Sequence, residues 1–488
     1  MADYDKGFLQ EPPNQQDLKW YDTLTINSIW FAISTRSNIL TPLLLPLLVQ
    51  RFMGDAAKGE AYGNLRLISL MIALLVQALA GMLSDRNTSK YGRRRPFILI
   101  AAILDVMTYI AIGVIAATMS GQAGYTALFI MVVLSMATTN FMHGPAQGLI
   151  PDLVPANKRG LYSGIKAMFE VPLPLIFVSF VVSKMIANGN YWGAIIALVV
   201  VYFICVGLTM FVKEQPLREQ PKPFDKSSIL RLVLMTGAFT VVILAMGAIV
   251  RWVLPQLVEN QTTTKSLLIL GVGLVTMLIA VAIGVLLSLR ISLGNEAKNH
   301  RSFSWWVISR LSFLVGATSL SSFALYFLQE RFPEMTGDLA AKPTSTLMLM
   351  VGVALLISSL PAGFLTDKFG TKPLLVASGI LAALGTVVVI LAPNMNIILV
   401  GGFVIGLGIG IFYSANWALG TSLVPKDEAG RYLGLSNLAG AGAGAIGAYI
   451  GGVIGDSASY SLLMVVYALM FTFSILALTQ INTPIEEK

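Results

Sequence analysis

Residues 81–96 read GMLSDRNTSKYGRRRP, and residues 363–373 repeat part of that pattern as GFLTDKFGTKP. A second, ungapped match joins LVPANKRGLYSG (153–164) to LVPKDEAGRYLG (423–434), which share Leu-Val-Pro and then Gly, Tyr and Gly at the same spacing. The two matches occur in the same order in both halves of the chain. They predict an internal repeat.

The composition around these repeats is that of a membrane protein. Of the 488 residues, 56% are hydrophobic and only 12% are charged, whereas soluble domains carry roughly 25% charged residues. The net charge of +8 arises from short basic clusters between apolar runs, which is not the continuous basic face of a nucleic-acid-binding protein. The single Cys205 excludes an intrachain disulfide. The first twenty residues lack the apolar core of a signal peptide, so we expect the first helix to remain in the mature protein.

Fourteen apolar runs are long enough to cross the hydrocarbon core, which takes about 20 residues in a helix. They lie near 24–50, 61–84, 96–118, 124–150, 160–187, 191–213, 229–254, 266–291, 303–329, 345–366, 373–392, 397–421, 431–455 and 460–481. Barrel strands would be shorter and would alternate in polarity. We therefore predict an all-α membrane protein whose helices fall into groups of six, two and six.

These groups define the predicted organisation of the chain. It consists of an N-terminal tail (1–23), a six-helix bundle (24–213), a linker (214–228), a two-helix insertion (229–291), a second six-helix bundle (292–482) and a C-terminal tail (483–488). An even number of inserted helices gives both bundles the same orientation in the membrane.

The lysines and arginines predict that orientation. The basic loops contain Arg86, Lys90, Arg93, Arg94, Arg95, Lys158, Arg159, Lys298, Arg301, Lys368, Lys372, Lys426 and Arg431, and all of these loops fall on one side of the membrane. Because cytoplasmic loops carry an excess of Lys and Arg, we expect both termini and the linker to be cytoplasmic. The protein is predicted to be a multi-pass protein of the cell (inner or plasma) membrane.

The loop SDRNTSKYGRRRPFI (84–98) resembles the G-x-x-x-D-R-x(n)-G-R-[RK] motif of the major facilitator superfamily. Its RRRPFI ending is similar to that of the sucrose transporter and glycoside–cation symporter branch. The resemblance implies the major facilitator fold, in which two six-helix bundles rock around a site near the midplane. Two features depart from that branch: sugar symporters normally have twelve helices, and melibiose-type symporters carry aspartates that residues 61–80 and 124–150 do not contain.

The loop motif predicts a gate on the cytoplasmic side. Asp85 and Asp367 end their helices there, where a carboxylate can face the positive N-terminus of a helix from the other half. The predicted gating residues are Gly81, Asp85, Arg86, Gly92, Arg93 and Arg94 in the first copy and Gly363, Asp367 and Gly370 in the second.

Ionisable residues inside the spans are candidates for function, because each costs about 2.5–3.5 kcal/mol to insert. We predict ion-coupling roles for Glu170, Asp105 and Lys166, with Glu170 preferred, and substrate-binding roles for Arg36 and Arg310. At about 1.5 Å per residue, Asp105, Glu170, Arg36 and Arg310 lie at one level near the midplane. Arg66, Lys184 and Arg251 lie nearer the ends of spans and are expected to reach the interface by snorkelling.

The same residues have purely structural interpretations. Lys166 and Glu170 are four residues apart and can neutralise each other. Asp105 can be a structural partner for an arginine, and His143 can satisfy backbone groups freed by Pro145.

Aromatic and amide residues point to a sugar site. The register of the Leu-Val-Pro match places Tyr413 opposite His143 and Trp417 opposite Gln147, with Asn416 beside them. Indole rings stack on pyranose faces while amides bind hydroxyl groups, so we predict that these five residues bind substrate. Trp417 can alternatively pack between helices or lie at an interface.

The sequence therefore predicts a secondary active transporter of a small polar solute, with a sugar or glycoside favoured and coupling to a proton or sodium ion. It contains no phosphate-binding Gly-rich loop, so we expect no ATP-driven step. We expect a monomer in the lipid bilayer that is not an enzyme and needs no cofactor, metal or nucleic acid. Two alternatives remain open on these residues: a lipid or amphiphile flippase of the same fold, and a non-transporting membrane assembly factor.

Overall fold

The computed structural model describes residues 18–214, 226–258, 263–294, 301–423 and 429–481. The predicted tails, most of the linker, Lys298 and Lys426 lie outside these residues. The same holds for the side chains of 424–439, which include Arg431.

Two bundles of six long helices and one helix pair make up the described structure. The first bundle contains α1 (Asp22–Met53), α2 (Lys58–Ser84), α3 (Arg95–Thr118), α4 (Gly121–Leu153), α5 (Arg159–Ala187) and α6 (Tyr191–Met210). The pair is α7 (Lys226–Val258) and α8 (Thr263–Leu293). The second bundle contains α9 (Arg301–Arg331), α10 (Ala341–Phe369), α11 (Thr371–Leu391), α12 (Met395–Leu423), α13 (Ala429–Ser457) and α14 (Tyr460–Leu478).

Within the described residues, thirteen helices are long and apolar enough to cross a membrane. The remaining long helix is α13, which spans 29 residues and is rich in Gly and Ala rather than in strongly apolar residues. The predicted all-α fold, with two six-helix units around an extra pair, is confirmed. We call the end of the bundle that carries loop 85–94 the basic face, and the end that carries loop 54–57 the opposite face.

Prolines interrupt the helices where the sequence places them. In α1 the backbone widens into a π-turn at Leu40–Leu44, close to Pro42 and Pro46, each of which lacks the N–H that an α-helix needs. In α5 the helix breaks at Val171, and a π-turn follows at Val178–Val182. These irregular segments interrupt the regular α-helical hydrogen bonding inside two spans.

The two halves meet most closely where α2 crosses α13. A Cβ atom on Gly63 would lie 2.4 Å from the Ala448 carbonyl oxygen, and one on Gly452 would lie 2.0 Å from the Gly59 carbonyl oxygen. Only glycine permits this approach, which is a common use of small residues in membrane helices. The Asp456 carboxylate of α13 accepts hydrogen bonds from the Gly59 and Glu60 N–H groups at 2.9 and 2.8 Å, so it caps the first turn of α2.

Other contacts between the halves also lie toward the opposite face. Tyr326 in α9 donates to the Pro46 carbonyl of α1 at 2.7 Å. Ser179 in α5 donates to the Ser345 carbonyl of α10 at 2.8 Å. Tyr191 at the start of α6 donates to Asp338. Among the described residues, these contacts join the halves toward the opposite face.

The inserted helix pair, α7 and α8, is hydrogen-bonded to both halves at that same end. Arg251 of α7 donates to Asn64 of α2 and to the Tyr449 hydroxyl of α13, each at 2.8 Å. Its Nε atom lies 2.8 Å from the Glu60 carboxylate, and its guanidinium lies 4.6 Å from the centre of the Tyr449 ring. Arg251 lies near the end of its span, and Glu60, Asn64 and Tyr449 are the charged and polar partners that hold its guanidinium there.

We predict that Arg251→Gln lowers the apparent melting temperature of the purified protein, because it removes an ion pair and bonds between three helices. Each charged hydrogen bond lost is worth about 1.5–3 kcal/mol. Tyr449→Phe is expected to have a smaller effect, since it keeps the ring beneath the guanidinium. The control is Arg231→Gln, which changes an exposed arginine in the same helix. Equal melting temperatures for the Arg251 and Arg231 variants would contradict this prediction.

Candidate functional site

The first bundle contributes a cluster of charged and aromatic side chains from α1, α4 and α5. The Lys166 ammonium lies 3.8 Å from the Glu170 carboxylate and 3.8 Å from the centre of the Trp30 ring. The His143 ring meets the same indole edge to face at a centroid distance of 5.2 Å, and His143 Nε2 lies 3.4 Å from Gln147 Nε2. Lys166 and Glu170 are only partly buried, so these two members of the cluster are accessible, whereas Trp30 is fully buried. Trp30, which the sequence analysis did not select, holds it together.

Asp105 occupies a buried cage of hydroxyl groups in the same bundle. Its carboxylate accepts hydrogen bonds from Tyr109 and Tyr202 at 2.5 and 3.0 Å, and from Thr138 and Thr139 at 2.8 and 2.6 Å. These donors come from α3, α4 and α6, so the cage joins three helices. A carboxylate with this many donors is well satisfied without water.

Ser135 connects the cage to Arg36. Arg36 Nη2 donates to the Ser135 hydroxyl at 2.9 Å, and that hydroxyl in turn donates to Asp105 at 3.1 Å. Asp105 is fully buried, and Arg36 is 2% exposed. The two residues therefore form an internal charge pair with one hydroxyl between them, which is the structural arrangement considered for Asp105.

The second bundle contributes a cationic and aromatic cluster from α9 and α12. Arg310 Nη1 donates to Asn416 Oδ1 at 2.6 Å, and the Arg310 guanidinium lies 5.8 Å from the centre of the Trp306 ring. The rings of Phe313 and Phe412 stack at 3.7 Å and hold the two helices at this spacing. Tyr413 and Trp417 are the exposed members of the same stretch, with 46% and 48% of their surface accessible.

Arg66 departs from the sequence-based expectation. It lies well inside α2, which begins at Lys58, at a depth of about 12 Å from the helix end, and only 7% of it is exposed. Its Nη1 atom lies 3.4 Å from the Thr41 hydroxyl, in the π-turn of α1. Snorkelling is wrong for this residue, because its side chain is enclosed by the bundle rather than extended along the lipid face.

The loop motif forms a network on the basic face. Arg94 donates to Asp85 at 2.9 Å and to Asp152 at 2.5 Å, and Arg93 donates to Asp152 at 2.7 Å. Asp152, at the end of α4, joins the motif to α4, although the sequence analysis did not select it. Its position just before the repeated Leu-Val-Pro was the available signal. Arg86 donates to the Met82 carbonyl at 2.8 Å.

Glu214 attaches the end of the first bundle to the same motif. Its carboxylate accepts the backbone N–H of Arg94 at 2.8 Å and that of Arg95 at 3.1 Å, at the start of α3. Burial raises the pKa of Glu214, and these two N–H donors partly oppose that rise. Gly92 has φ +109°, and a Cβ there would lie 2.5 Å from the Glu214 carboxylate. Gly92 thus adopts the positive φ that the loop requires, and its missing side chain leaves room for the Glu214 carboxylate.

The remaining predicted gating residues are three glycines and one aspartate. The Gly81 backbone packs against Gly144, where a Cβ would lie 2.9 Å from the Gly81 nitrogen. In the second copy, Asp367 and Gly363 are exposed at the end of α10, and Gly370 turns the chain with φ +86°.

Comparison with known proteins gives one family. A family model described as Major Facilitator Superfamily matches residues 28–331 and 314–488.

Several transporters are similar to parts of this chain. The minor myo-inositol transporter IolF of Bacillus subtilis is 29% identical over 157 residues, which cover 31% of this chain and 34% of that protein. The sucrose transport protein SUC3 of Arabidopsis thaliana is 29% identical over 174 residues, 29% of each chain. The proton-associated sugar transporter A of Mus musculus is 37% identical over 84 residues, which cover 17% of this chain and 11% of that protein. The chain thus matches only about a third or less of the length of these relatives.

Solved structures share the fold. A crystal structure of the nucleoside transporter NupG aligns with a TM-score of 0.62 at 13% identity, covering 94% of this chain and 99% of that one. The inward open conformation of the xylose transporter XylE from E. coli aligns with a TM-score of 0.58 at 16% identity, covering 94% and 93% of the two chains.

We predict that Asp152→Asn lowers the melting temperature more than Asp85→Asn does. Both carboxylates accept from Arg93 and Arg94, but Asp152 does so at 2.7 and 2.5 Å and is 28% exposed, whereas Asp85 does so at 3.4 and 2.9 Å and is 53% exposed. Asp85→Asn should instead reduce uptake into proteoliposomes while leaving the fold intact. Thermal unfolding and initial uptake rates, measured on both variants, test the two statements. A larger loss of stability in Asp85→Asn would contradict the first, and unchanged uptake would contradict the second.

Proposed function

Because this chain is a member of the Major Facilitator Superfamily, we propose that it transports a sugar-sized solute by alternating access, coupled to protons. The observation that carries the proposal is the placement of the contacts between the halves. They lie toward the opposite face, at Gly63 and Ala448, Tyr326 and Pro46, and Ser179 and Ser345.

Accessible residues of the candidate site support the same conclusion. Tyr413 and Trp417 are exposed in the half of α12 nearer the basic face, and Gln147 is exposed near the corresponding end of α4. Among the described residues, the two halves contact each other toward the opposite face, and polar and aromatic side chains are exposed toward the basic face. This is the arrangement of a transporter whose central site is open on one side only. With the basic face cytoplasmic, as the positive-inside rule predicts, this state is open to the cytoplasm.

The chemistry of the two clusters favours a sugar-sized ligand. Trp417 and Tyr413 offer aromatic faces, while Gln147 and Asn416 offer amides that bind hydroxyl groups. The similar proteins from Bacillus subtilis and Arabidopsis thaliana are named as transporters of myo-inositol and sucrose, which agrees with this ligand class. A flippase or a non-transporting assembly factor is the alternative that liposome assays distinguish.

Glu170 is the proposed coupling residue. It lies next to the break at Val171, where the α5 helix is interrupted, and 39% of its side chain is exposed. Its partner Lys166 also interacts with the buried Trp30, so a ligand that displaces Lys166 from Glu170 would leave the carboxylate without its counter-ion and able to bind a proton. Asp105 is enclosed by hydroxyl groups and has no comparable access, so we assign it a structural role toward Arg36.

The orientation can be tested with reporter fusions. Fusions after Gly121 and Gly337 should report the outside of the cell, and fusions after Lys90 and Gly370 should report the cytoplasm, because Lys and Arg cluster in the latter loops. Reversed signals at both Gly337 and Gly370, with the expected signals at Gly121 and Lys90, would show that the second bundle is inverted relative to the first.

We expect Glu170→Gln to abolish accumulation of sugar against a gradient while it preserves binding and exchange. The amide keeps the shape of the carboxylate and removes its titration. The measurement is uptake of labelled sugars into proteoliposomes with and without an imposed proton gradient, followed by counterflow. Asp105→Asn is the matched control and should retain gradient-driven accumulation, provided that it folds. Accumulation that survives in Glu170→Gln and fails in Asp105→Asn would place coupling on α3.

A further inference from the structure

Buried positive charges outnumber buried negative charges around the candidate site. The buried or partly buried cations are Arg36, Arg66, Lys166 and Arg310, and the corresponding anions in the described residues are Asp105 and Glu170. Lys166 pairs with Glu170, and Arg36 is joined to Asp105 through Ser135. Arg66 contacts the Thr41 hydroxyl at 3.4 Å, and Arg310 has a neutral amide as its hydrogen-bond partner. In the part of the chain that the structure describes, no carboxylate oxygen lies within 4.0 Å of either guanidinium. Of these two cations, Arg310 is the one at a predicted substrate-binding position.

The internal repeat shows why Arg310 has no counter-ion like that of Arg36. Asp105 lies nine residues after Pro96 at the end of the first loop motif, and the residue nine positions after Pro373 in the second copy is Ala382. Ala382 is fully buried. The second bundle therefore contains an alanine methyl where the first contains a carboxylate.

The hydroxyl cage is also missing from the second bundle. The Leu-Val-Pro register pairs Ser135 with Ile405 and Thr139 with Ile409, so apolar groups replace two of the cage hydroxyls. Both isoleucines are buried in the core. A cation that has neither a carboxylate nor this cage is costly in a low-dielectric interior unless a ligand supplies the negative charge.

The groups around Arg310 include hydrogen-bond donors that have no acceptor in the described part of the chain. Arg310 Nε, Asn416 Nδ2 and Trp306 Nε1 are buried donors without a hydrogen-bond partner within the described residues. Asn416 is fully buried, and its Oδ1 atom is already used by Arg310. A neutral sugar hydroxyl brings one proton with each oxygen, whereas a carboxylate brings two acceptor oxygens and no proton. The local excess of donors therefore matches an acceptor-only group.

We propose that the transported solute is an anionic sugar, and that its carboxylate binds at Arg310 and Asn416 in the second bundle. This inference rests on the proposed transport function and narrows its substrate class. The planar guanidinium can form two parallel hydrogen bonds to a carboxylate. Tyr413 and Trp417, exposed on the same helix as Asn416, are placed to contact the sugar ring while Arg310 holds the charge.

Equilibrium binding with matched probes tests the proposal. The purified full-length protein is titrated calorimetrically with glucuronate and glucose, with galacturonate and galactose, and with glucose 6-phosphate. We expect at least one uronate to bind about tenfold or more tightly than its parent sugar, which corresponds to one charge-assisted hydrogen bond. A preference for glucose 6-phosphate over both uronates would overturn the carboxylate assignment.

Variants show whether Arg310 is responsible. In Arg310→Gln the ratio of uronate to parent-sugar affinity should fall to about one, since the charge is lost, while binding of the parent sugar persists. Arg310→Lys should keep part of the preference because it keeps the charge but not the planar fork. The control is Arg331→Gln at the other end of α9, where Arg331 donates to the Ala392 carbonyl; its ratio should equal that of the unaltered protein.

The outcomes separate this proposal from the function on which it rests. Uptake of neutral sugars with equal or weaker binding of the uronates would overturn the anionic class and leave sugar transport standing. A uronate preference that survives in Arg310→Gln would overturn the assignment to Arg310. If neither class binds or enters proteoliposomes, both the proposed function and this inference are wrong.

Discussion

A charge in the hydrocarbon core must find its partner inside the protein, because no water is available there to solvate it. That constraint accounts for much of the arrangement of this molecule. Asp105 gathers donors from three helices, and Arg36 reaches it through Ser135. Arg251 connects the inserted pair to α2 and α13 through Glu60 and Tyr449. Each of these charges thus joins helices that are far apart in sequence.

The two bundles differ in the partners that they provide for their buried cations. The first provides a carboxylate for the cations Arg36 and Lys166 and a hydroxyl, that of Thr41, for Arg66. The second holds Arg310 against neutral groups only, among the residues that the structure describes. Arg310 lies in the same cluster as the exposed Tyr413 and Trp417, and a cation without a carboxylate partner gains most from an incoming anion.

Toward the opposite face, small residues and carboxylates hold the two bundles together. Gly63 and Gly452 let the backbones of α2 and α13 touch, and Asp456 caps α2 from the other bundle. The inserted pair adds Arg251 to the same region. The end of the molecule that joins the halves is therefore tightly packed and polar, while Tyr413 and Trp417 nearer the basic face remain exposed.

The sequence alone determined the helical spans, the repeat and the family, because hydropathy and a repeated loop motif are local properties that survive without three-dimensional information. It also identified Arg36, Asp105, Glu170 and Arg310, since any ionisable residue in an apolar run is conspicuous. Tertiary structure alone decided their partners. Ser135, Asp152, Trp30 and Glu214 are ordinary residues in sequence. They acquire roles because folding brings α1, α3, α4, α5 and α6 together, and a hydrogen bond depends on separation in space rather than on separation along the chain.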